Sequence, residues 1–318
     1  MDDQSNTQVD VQLANQIIAK KVPVILGSAI VAGCNAIVPL VTNGPVLYCL
    51  SPALHPDPGS YAFSVDVAAS DTVAVGIRYA RLRGWTRIAS ITGTDATGQD
   101  ADKSIATAVA LPENRGVTLV DVEHFNLTDL SAGAQIAKIR AAHPDMLIAW
   151  SSGTATGTVF RALKDAAYEL PVLTSSANGT YSQMGQFAAI LPAELYFSGI
   201  PSQEPDQITD PVTKKAISAY LDTFKGMGIK PDLQVSGYDP ALLVVDALRK
   251  LGLNATPAQL RDYIMNLRGW VGANGTYDFP ASPQRGLNED SASIVRWDPA
   301  KGTWESASKP GGAPLTAK

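Results

Sequence analysis

A chain of 318 residues, 45% of them hydrophobic, has the size and apolar content of two globular domains, which excludes a disordered segment. Its formal net charge of −5 argues against nucleic acid or an anionic membrane surface as partner. No apolar run approaches the roughly 18 residues of a membrane-spanning helix; the longest, 22–26 and 46–50, fit buried strands.

The first residues, MDDQSNTQVDVQ, have neither the basic region nor the apolar core of a signal peptide. Val9, Val11, Leu13, Ala14, Ile17 and Ile18 recur at helical spacing, with Asn6 or Thr7 as cap and Lys20-Lys21 in the last turn. The stretch 23–56, PVILGSAIVAGCNAIVPLVTNGPVLYCLSPALHP, organises the rest of the chain. It reads as a buried strand, a Gly27-Ser28 turn, a helix, and a second strand ending in Ser51-Pro52-Ala53-Leu54-His55. Two strand ends thus point small polar and backbone-donor groups at one crevice, and in open parallel sheets ligands bind outside the carboxyl ends of strands.

Residues 61–65 form a short extended segment. Ser70 or Asp71 caps a helix running to about residue 83, and Gly84 ends it. Strands at 87–92, 117–122, 146–150 and 171–174 then alternate with helices ending near 110, at 129–142 and at 155–168. That alternation predicts a parallel sheet with right-handed crossovers. The pattern changes after the strand at 195–200. A polar, proline-containing connection at 201–210 leads to helical patterns at 211–227, 239–251 and 257–267. Short strands come next at 276–279, 293–297 and 303–305, with turns at Asn274-Gly275 and Lys301-Gly302. The Gly-, Pro- and Ala-rich end from Lys309 reads as mobile.

Reactive constellations are missing from the sequence. Of the three histidines, His124 near a strand end and His143 before Pro144 read as solvated or structural. There is no HExxH, no CxxC, no glycine-rich nucleotide fingerprint and no G-x-S-x-G elbow. Ser51 and His55 are close in sequence, but that spacing alone does not make a hydrolase. The expectation is no catalytic residue, no metal site and no cofactor. Cys34 and Cys49 read first as two buried free thiols, with a disulfide between the helix start and the following strand as the alternative. The pair leaves the redox compartment open. What does recur is strand ends rich in Ser, Thr, Gly and Asn, at 27–28, 51–52, 92–98, 151–154 and 174–179. Hydroxyls and N–H groups at such ends bind polar ligands without reacting with them. Capping accounts for one or two such turns; five, on two sheets, favour a cleft between lobes.

These stretches resemble the type I periplasmic solute-binding proteins of ABC importers, in the branch for branched-chain amino acids and aromatic compounds. The resemblance rests on Asp2-Asp3-Gln4-Ser5-Asn6, the VILGS strand, the Ser51-Pro52-Ala53 turn, and Arg87-Ile88-Ala89-Ser90-Ile91 with the Gly98 turn. Residues 145–150, the helix with Phe160-Arg161, Gly237-Tyr238-Asp239, Gly275-Thr276-Tyr277-Asp278-Phe279 and Arg285-Gly286-Leu287 extend it over almost the whole chain. It implies an α/β fold of two Rossmann-like lobes joined by three crossings and closing on a ligand. Mapped here, lobe 1 is 1–66 plus 203–275, lobe 2 is 67–202 plus 276–307, and 308–318 is a mobile tail. Family members open with a strand, a helix and a second strand before the Asp-Asp turn. About 40 residues of lobe 1 are therefore expected to be missing here, judged by the length of such a unit. The chain alone is expected to expose unpaired strand edges and to be poorly stable.

The resemblance also implies a site. Ser28 lies in the first strand's turn. Where the amino-acid binders grip the ligand carboxylate with a serine, this chain has Val31 and Ala32, so an anion contact there must come from backbone N–H groups. The Ser-Pro-Ala turn supplies Ala53 and Leu54, and His55 replaces a threonine. Thr97 and Ser152 stand where tyrosines are found, Ser176 replaces the acid that pairs with the ligand ammonium, and Tyr238 stays aromatic. A buried ammonium without a partner costs several kcal/mol, although Asp95 or Asp239 could substitute. An aromatic or other small carboxylate therefore suits this cleft better than an α-amino acid. The implied protein is a periplasmic, non-enzymatic, monomeric receptor serving an ABC permease, without membrane insertion or nucleic acid. The alternatives are a ligand-sensing regulatory domain of the same fold and a branched-chain amino acid binder.

Overall fold

The structure, a computed structural model, describes residues 1–204 and 207–315. The chain opens with α1 (Thr7–Ala19), β1 (Val24–Leu26), α2 (Val31–Ile37), β2 (Val46–Cys49) and β3 (Ala62–Ser64). It continues through α3 (Ala69–Leu82), β4 (Arg87–Gly93), α4 (Ala96–Ala110), β5 (Thr118–Phe125), α5 (Gly133–Ala141) and β6 (Met146–Trp150). Next come α6 (Thr156–Asp165), β7 (Val172–Thr174), α7 (Tyr181–Gln186) and β8 (Leu195–Gly199). The rest is α8 (Pro211–Thr223), α9 (Val235–Leu251), α10 (Pro257–Met265), β9 (Arg268–Val271), β10 (Thr276–Asp278), β11 (Ser293–Asp298) and β12 (Thr303–Ser306). Two compact units result, one from Met1–Ala68 with Thr209–Asn288, the other from Ala69–Ile208 with the chain from Glu289 onward.

In the first unit, β1, β2 and β3 form a parallel sheet in that order. All of β2 is buried, as the unbroken apolar run VLYC requires of a strand covered on both faces. The Asn6 side chain accepts from the N–H groups of Gln8 and Val9, so α1 starts where the capping residue stands. Its apolar stripe, Ala14, Ile17 and Ile18, packs on Ile25, Leu47 and Ala62 of the sheet and on Ile37 of α2. Helices α8 to α10 each follow a proline or polar start, and β9 pairs antiparallel with β10.

In the second unit, the seven-stranded sheet runs β12-β11-β8-β7-β6-β4-β5. Its members from β4 to β8 pair in parallel, and β11 and β12 add an antiparallel edge. Ala89, Ile91, Leu147, Ala149, Phe197 and Val295 of the strands meet Ile136, Val159, Phe160 and Leu163 of α5 and α6 in one core. This is the parallel sheet that the alternation predicted, in the α/β fold with parallel-sheet lobes that the resemblance implied.

The differences are confined to single segments, and their causes are partly local and partly distant in sequence. Helix α5 begins at Gly133 rather than near 129, because the Asp129 carboxylate accepts from the Asn126 N–H and forms a turn of its own. Helix α9 begins four residues before Asp239; Pro240 lies in its second turn, where the missing N–H removes one intrahelical bond. Sequence reading assigned nothing to β9 or α7. Residues 308–315 are docked where a mobile tail was expected: the Leu315 N–H donates to Ala307 O, Arg78 Nη1 donates to Gly311 O at 2.8 Å, and Ser308 is buried. Three tail residues, 316–318, and two of the 201–210 connection, 205 and 206, lie outside the described residues. Residues 276–288 group with the first unit, not with the second lobe as mapped, because Gln284 and Arg285 bond to the loop around β3.

Candidate functional site

In the first unit, the carboxyl edge of the sheet carries two neighbouring turns. After β1, the Ser28 carbonyl accepts from the Leu50 N–H, which prolongs the pairing with β2 and sets Ser28 beside the Ser51–His55 turn. The Ser28 hydroxyl is engaged: it donates to Asp3 Oδ2 at 3.0 Å and accepts from the Ile30 N–H. Val31 is buried and Ala32 half-buried at the start of α2, which no side chain caps. Cys34 of α2 and Cys49 of β2 form a disulfide, which corrects the reading of two free thiols. Helix α2 runs back along β2 closely enough to join them, a geometry that spacing alone does not reveal.

After β2, the Leu54 N–H donates to Ser51 O and closes a tight turn. Ser64 Oγ also donates to Ser51 O, at 2.8 Å. Ala53 and Leu54 are buried and His55 is exposed. Behind the turn lies the buried Arg285. Its Nη2 donates to Pro52 O at 3.1 Å and to Leu54 O at 2.6 Å. Its Nη1 donates to Val65 O at 2.8 Å and Asp66 O at 3.2 Å.

Tyr238, half-buried in α9, meets the ring of Tyr220 edge-on at 5.2 Å. The next residue, Asp239, is fully buried. Its carboxylate accepts from the N–H groups of Ala273 and Asn274 at 3.0 and 2.8 Å and from the Tyr277 hydroxyl at 3.1 Å. Burial raises its pKa to about 6, against the pull of the two N–H donors. Asp66 is likewise raised by burial while accepting from Ser236 Oγ at 2.7 Å and from the Asn274 amide. Asp239 therefore braces the β9–β10 turn, which leaves it poorly placed to substitute as a partner for a ligand ammonium.

In the second unit the edge is built from the ends of β4, β6 and β7. Thr97 is half-buried in the first turn of α4. The helix is capped by Asp95, whose carboxylate accepts from the Gly98 N–H at 3.2 Å. A Cβ on Gly98 would lie 1.8 Å from Gly93 O, so this close approach of helix to strand requires glycine. Ser151 shares a hydroxyl hydrogen bond of 2.8 Å with Thr156, while its neighbour Ser152 is exposed. Ser176 is half-buried after β7. The buried Asn178 ties these ends together, its Nδ2 donating to Ser151 O at 2.7 Å and Thr174 Oγ1 at 2.8 Å. Sequence reasoning gave no role to Asn178, Gln284 or Arg285, although Arg285-Gly286-Leu287 counted towards the resemblance; only Asn178, between Ala177 and Gly179, is a polar residue flanked by small ones.

Other clusters offer little chemistry. His124 Nε2 lies 2.8 Å from Asp102 Oδ2, and Thr92 Oγ1 donates to the other oxygen of that carboxylate. The hydroxyl thus faces the acid, not the imidazole, and the trio lacks the nucleophile–base contact of an acyl-transfer site. A cavity of about 270 Å³ in the second unit is lined by Leu130, Arg161, Phe187 and Ile190 among others, and by none of the expected site residues. Among the described residues, no three His, Cys, Asp or Glu are grouped to hold a metal, and no helix is long and apolar enough to cross a membrane.

The chain's relatives share this architecture. A model of the periplasmic binding protein family matches residues 1–303. An extracellular ligand-binding receptor from Rhodopseudomonas palustris HaA2 superposes with a TM-score of 0.85 at 22% identity, over 96% of this chain and 88% of that one. The branched-chain amino acid transporter substrate binding protein LivJ from Streptococcus pneumoniae, in complex with isoleucine, gives 0.77 at 17% identity, over 96% and 84%. A solute binding protein of an ABC transporter from R. palustris, in complex with benzoate, gives 0.77 at 15% identity, over 100% and 85%. No curated protein matches the chain. At these identities the superpositions establish the fold, and the match along residues 1–303 establishes the family: the chain belongs to the periplasmic binding proteins, with the type I fold.

Proposed function

We propose that this protein is a non-catalytic, extracytoplasmic receptor that binds a small organic acid and delivers it to an ABC permease. Each unit offers its own contacts for such a ligand at its carboxyl strand edge: in the first, the turns carrying Ser28, Val31, Ala32, Ala53, Leu54 and His55, with Tyr238 as an aromatic wall; in the second, the turns carrying Thr97, Ser152 and Ser176.

The observation that carries this reading is the orientation of the Ser51–His55 turn. In a trans peptide the carbonyl and the following N–H point in opposite directions. Arg285 draws the carbonyls of Pro52 and Leu54 inward, so the N–H groups of Ala53 and His55 are directed away from the guanidinium. Two such donors suit a carboxylate. The acids considered as partners of an ammonium are engaged elsewhere, Asp239 on the β9–β10 turn and Asp95 as the cap of α4. The fold itself carries both chemistries, isoleucine in one relative and benzoate in another, so the choice rests on these residues. The Cys34–Cys49 disulfide fits an oxidising compartment.

Titration calorimetry of the purified chain with benzoate, substituted benzoates and leucine tests the reading. Binding of at least one acid, with none of leucine, is expected. Tight leucine binding with no response to the acids would overturn it.

A further inference from the structure

Between β2 and β3 the chain runs through residues 50–61 without regular structure. A segment of this kind presents a defined donor array only if something outside it holds the peptide planes. Besides local bonds such as those to Ser51 O, two residues more than 200 positions later hold the loop, each at a different end. Gln284, fully buried and in the left-handed region at φ 59°, accepts from the Gly59 N–H and donates to Ser60 O at 2.9 Å. Its own carbonyl accepts from the Ser64 N–H. Arg285 then holds the opposite end of the loop, at Pro52 and Leu54, and joins it to the end of β3 at Val65 and Asp66.

The base of this clamp is itself rigid. A Cβ on Gly286 would lie 2.8 Å from the Tyr277 ring and 3.0 Å from that of Phe279, so the backbone after Arg285 is seated against two stacked aromatics. The planar guanidinium fork serves four carbonyls at once, which the compact ammonium of a lysine cannot do. The same group places a positive charge behind the two peptide planes whose N–H groups point away from it.

We propose that Arg285 is the positioning residue of the binding turn. By fixing the peptides 52–53 and 54–55 it presents the Ala53 and His55 N–H groups to the carboxylate of the ligand, and so sets the preference for an anionic head group. This rests on the function proposed above. Gln284 holds the far side of the same loop, by Gly59 and Ser60, and does not orient those two peptides.

The test compares wild type with Arg285→Lys, Arg285→Met and Gln284→Ala, well below each variant's melting temperature. Benzoate affinity is read by calorimetry and amide hydrogen exchange is read at Ala53 and His55. Arg285→Lys is expected to lose at least tenfold in affinity and to exchange faster at both amides, and Arg285→Met to lose more. Gln284→Ala, although less stable, is expected to bind within twofold of wild type. Unchanged affinity and exchange in Arg285→Lys overturn the proposal, as does an equal loss in Gln284→Ala, which would trace the effect to general stability. A wild type that binds none of the acids overturns the functional reading instead, and the exchange rates then decide the positioning role alone. Should neither Arg285 variant fold, the wild-type guanidinium protons decide. Slow exchange with cross-peaks to residues 52 and 54 supports the clamp, and fast exchange without them overturns it.

Discussion

Replacing Asp239 by alanine is expected to destabilise the protein strongly, and more at pH 4 than at pH 7. The change leaves three buried donors without their acceptor, the N–H groups of Ala273 and Asn274 and the Tyr277 hydroxyl. At about 1–3 kcal/mol for each unsatisfied group, the loss is roughly 3–9 kcal/mol when the acid is neutral. At neutral pH the native side chain is ionised and disfavoured by its burial, so removing it also relieves a cost. The folded pKa of about 6 against the ordinary 3.8 makes that relief on the order of 3 kcal/mol.

The sign comes from linkage. Because the folded pKa lies above the unfolded one, the stabilisation is fully present below about pH 3.8 and lost as pH rises through about 6. Burial raises Asp66, Asp10 and Glu204 as well, so they act in the same sense. Asp3, Asp210, Asp298 and Glu305 are held low by their hydrogen bonds and act oppositely, at more acid pH. Urea unfolding of wild type and Asp239→Ala at several pH values between 4 and 7.5 measures both curves. Wild-type stability is expected to fall across that range and the alanine penalty to shrink with it. A penalty that grows with pH would contradict the buried, raised carboxyl.

The same residue shows where reading the sequence stops. Elements were legible where the cause is local. Asn6 caps α1, Gly84 in the left-handed region at φ 80° ends α3, and the apolar run 146–150 is the buried strand β6. The parallel order of the second sheet was legible in the alternation of such runs with helices. Where the cause is distant, the sequence is silent. Asp239 looked available for a ligand because its donors, Ala273 and Asn274, lie 34 and 35 residues away in a hairpin turn. Arg285 stands in an aperiodic stretch and its acceptors lie 219–233 residues earlier. The tail read as mobile from its Gly and Pro content, yet its backbone is held by Arg78 and by Ala307. For the candidate site, residue types were legible, but the direction of the turn's peptides came only with the arginine behind it.

Removing the Cys34–Cys49 disulfide is expected to cost about 3 kcal/mol, the loop-closure value for a cross-link of this span; the two cysteines are 15 residues apart. For a unit of some 150 residues that corresponds to a fall of roughly 6–12 °C in melting temperature. The cost extends to the candidate site. Helix α2 has only seven residues, too few to be stable alone, and no side chain caps its start. It is held by the packing of Ile37 and by the bond from Cys34 to the end of β2. Without that bond the amides of Val31 and Ala32 are expected to exchange faster, while those of β6 in the other unit keep their rates. Both sulfurs are fully buried, so a reductant acts only through unfolding and native protein should resist it. The measurement is calorimetric melting of wild type and Cys34→Ala/Cys49→Ala, with exchange followed at residues 31, 32 and 146–150. Equal melting temperatures, or faster exchange spread evenly over both units, would show that the bond constrains neither the unfolded chain nor the start of α2.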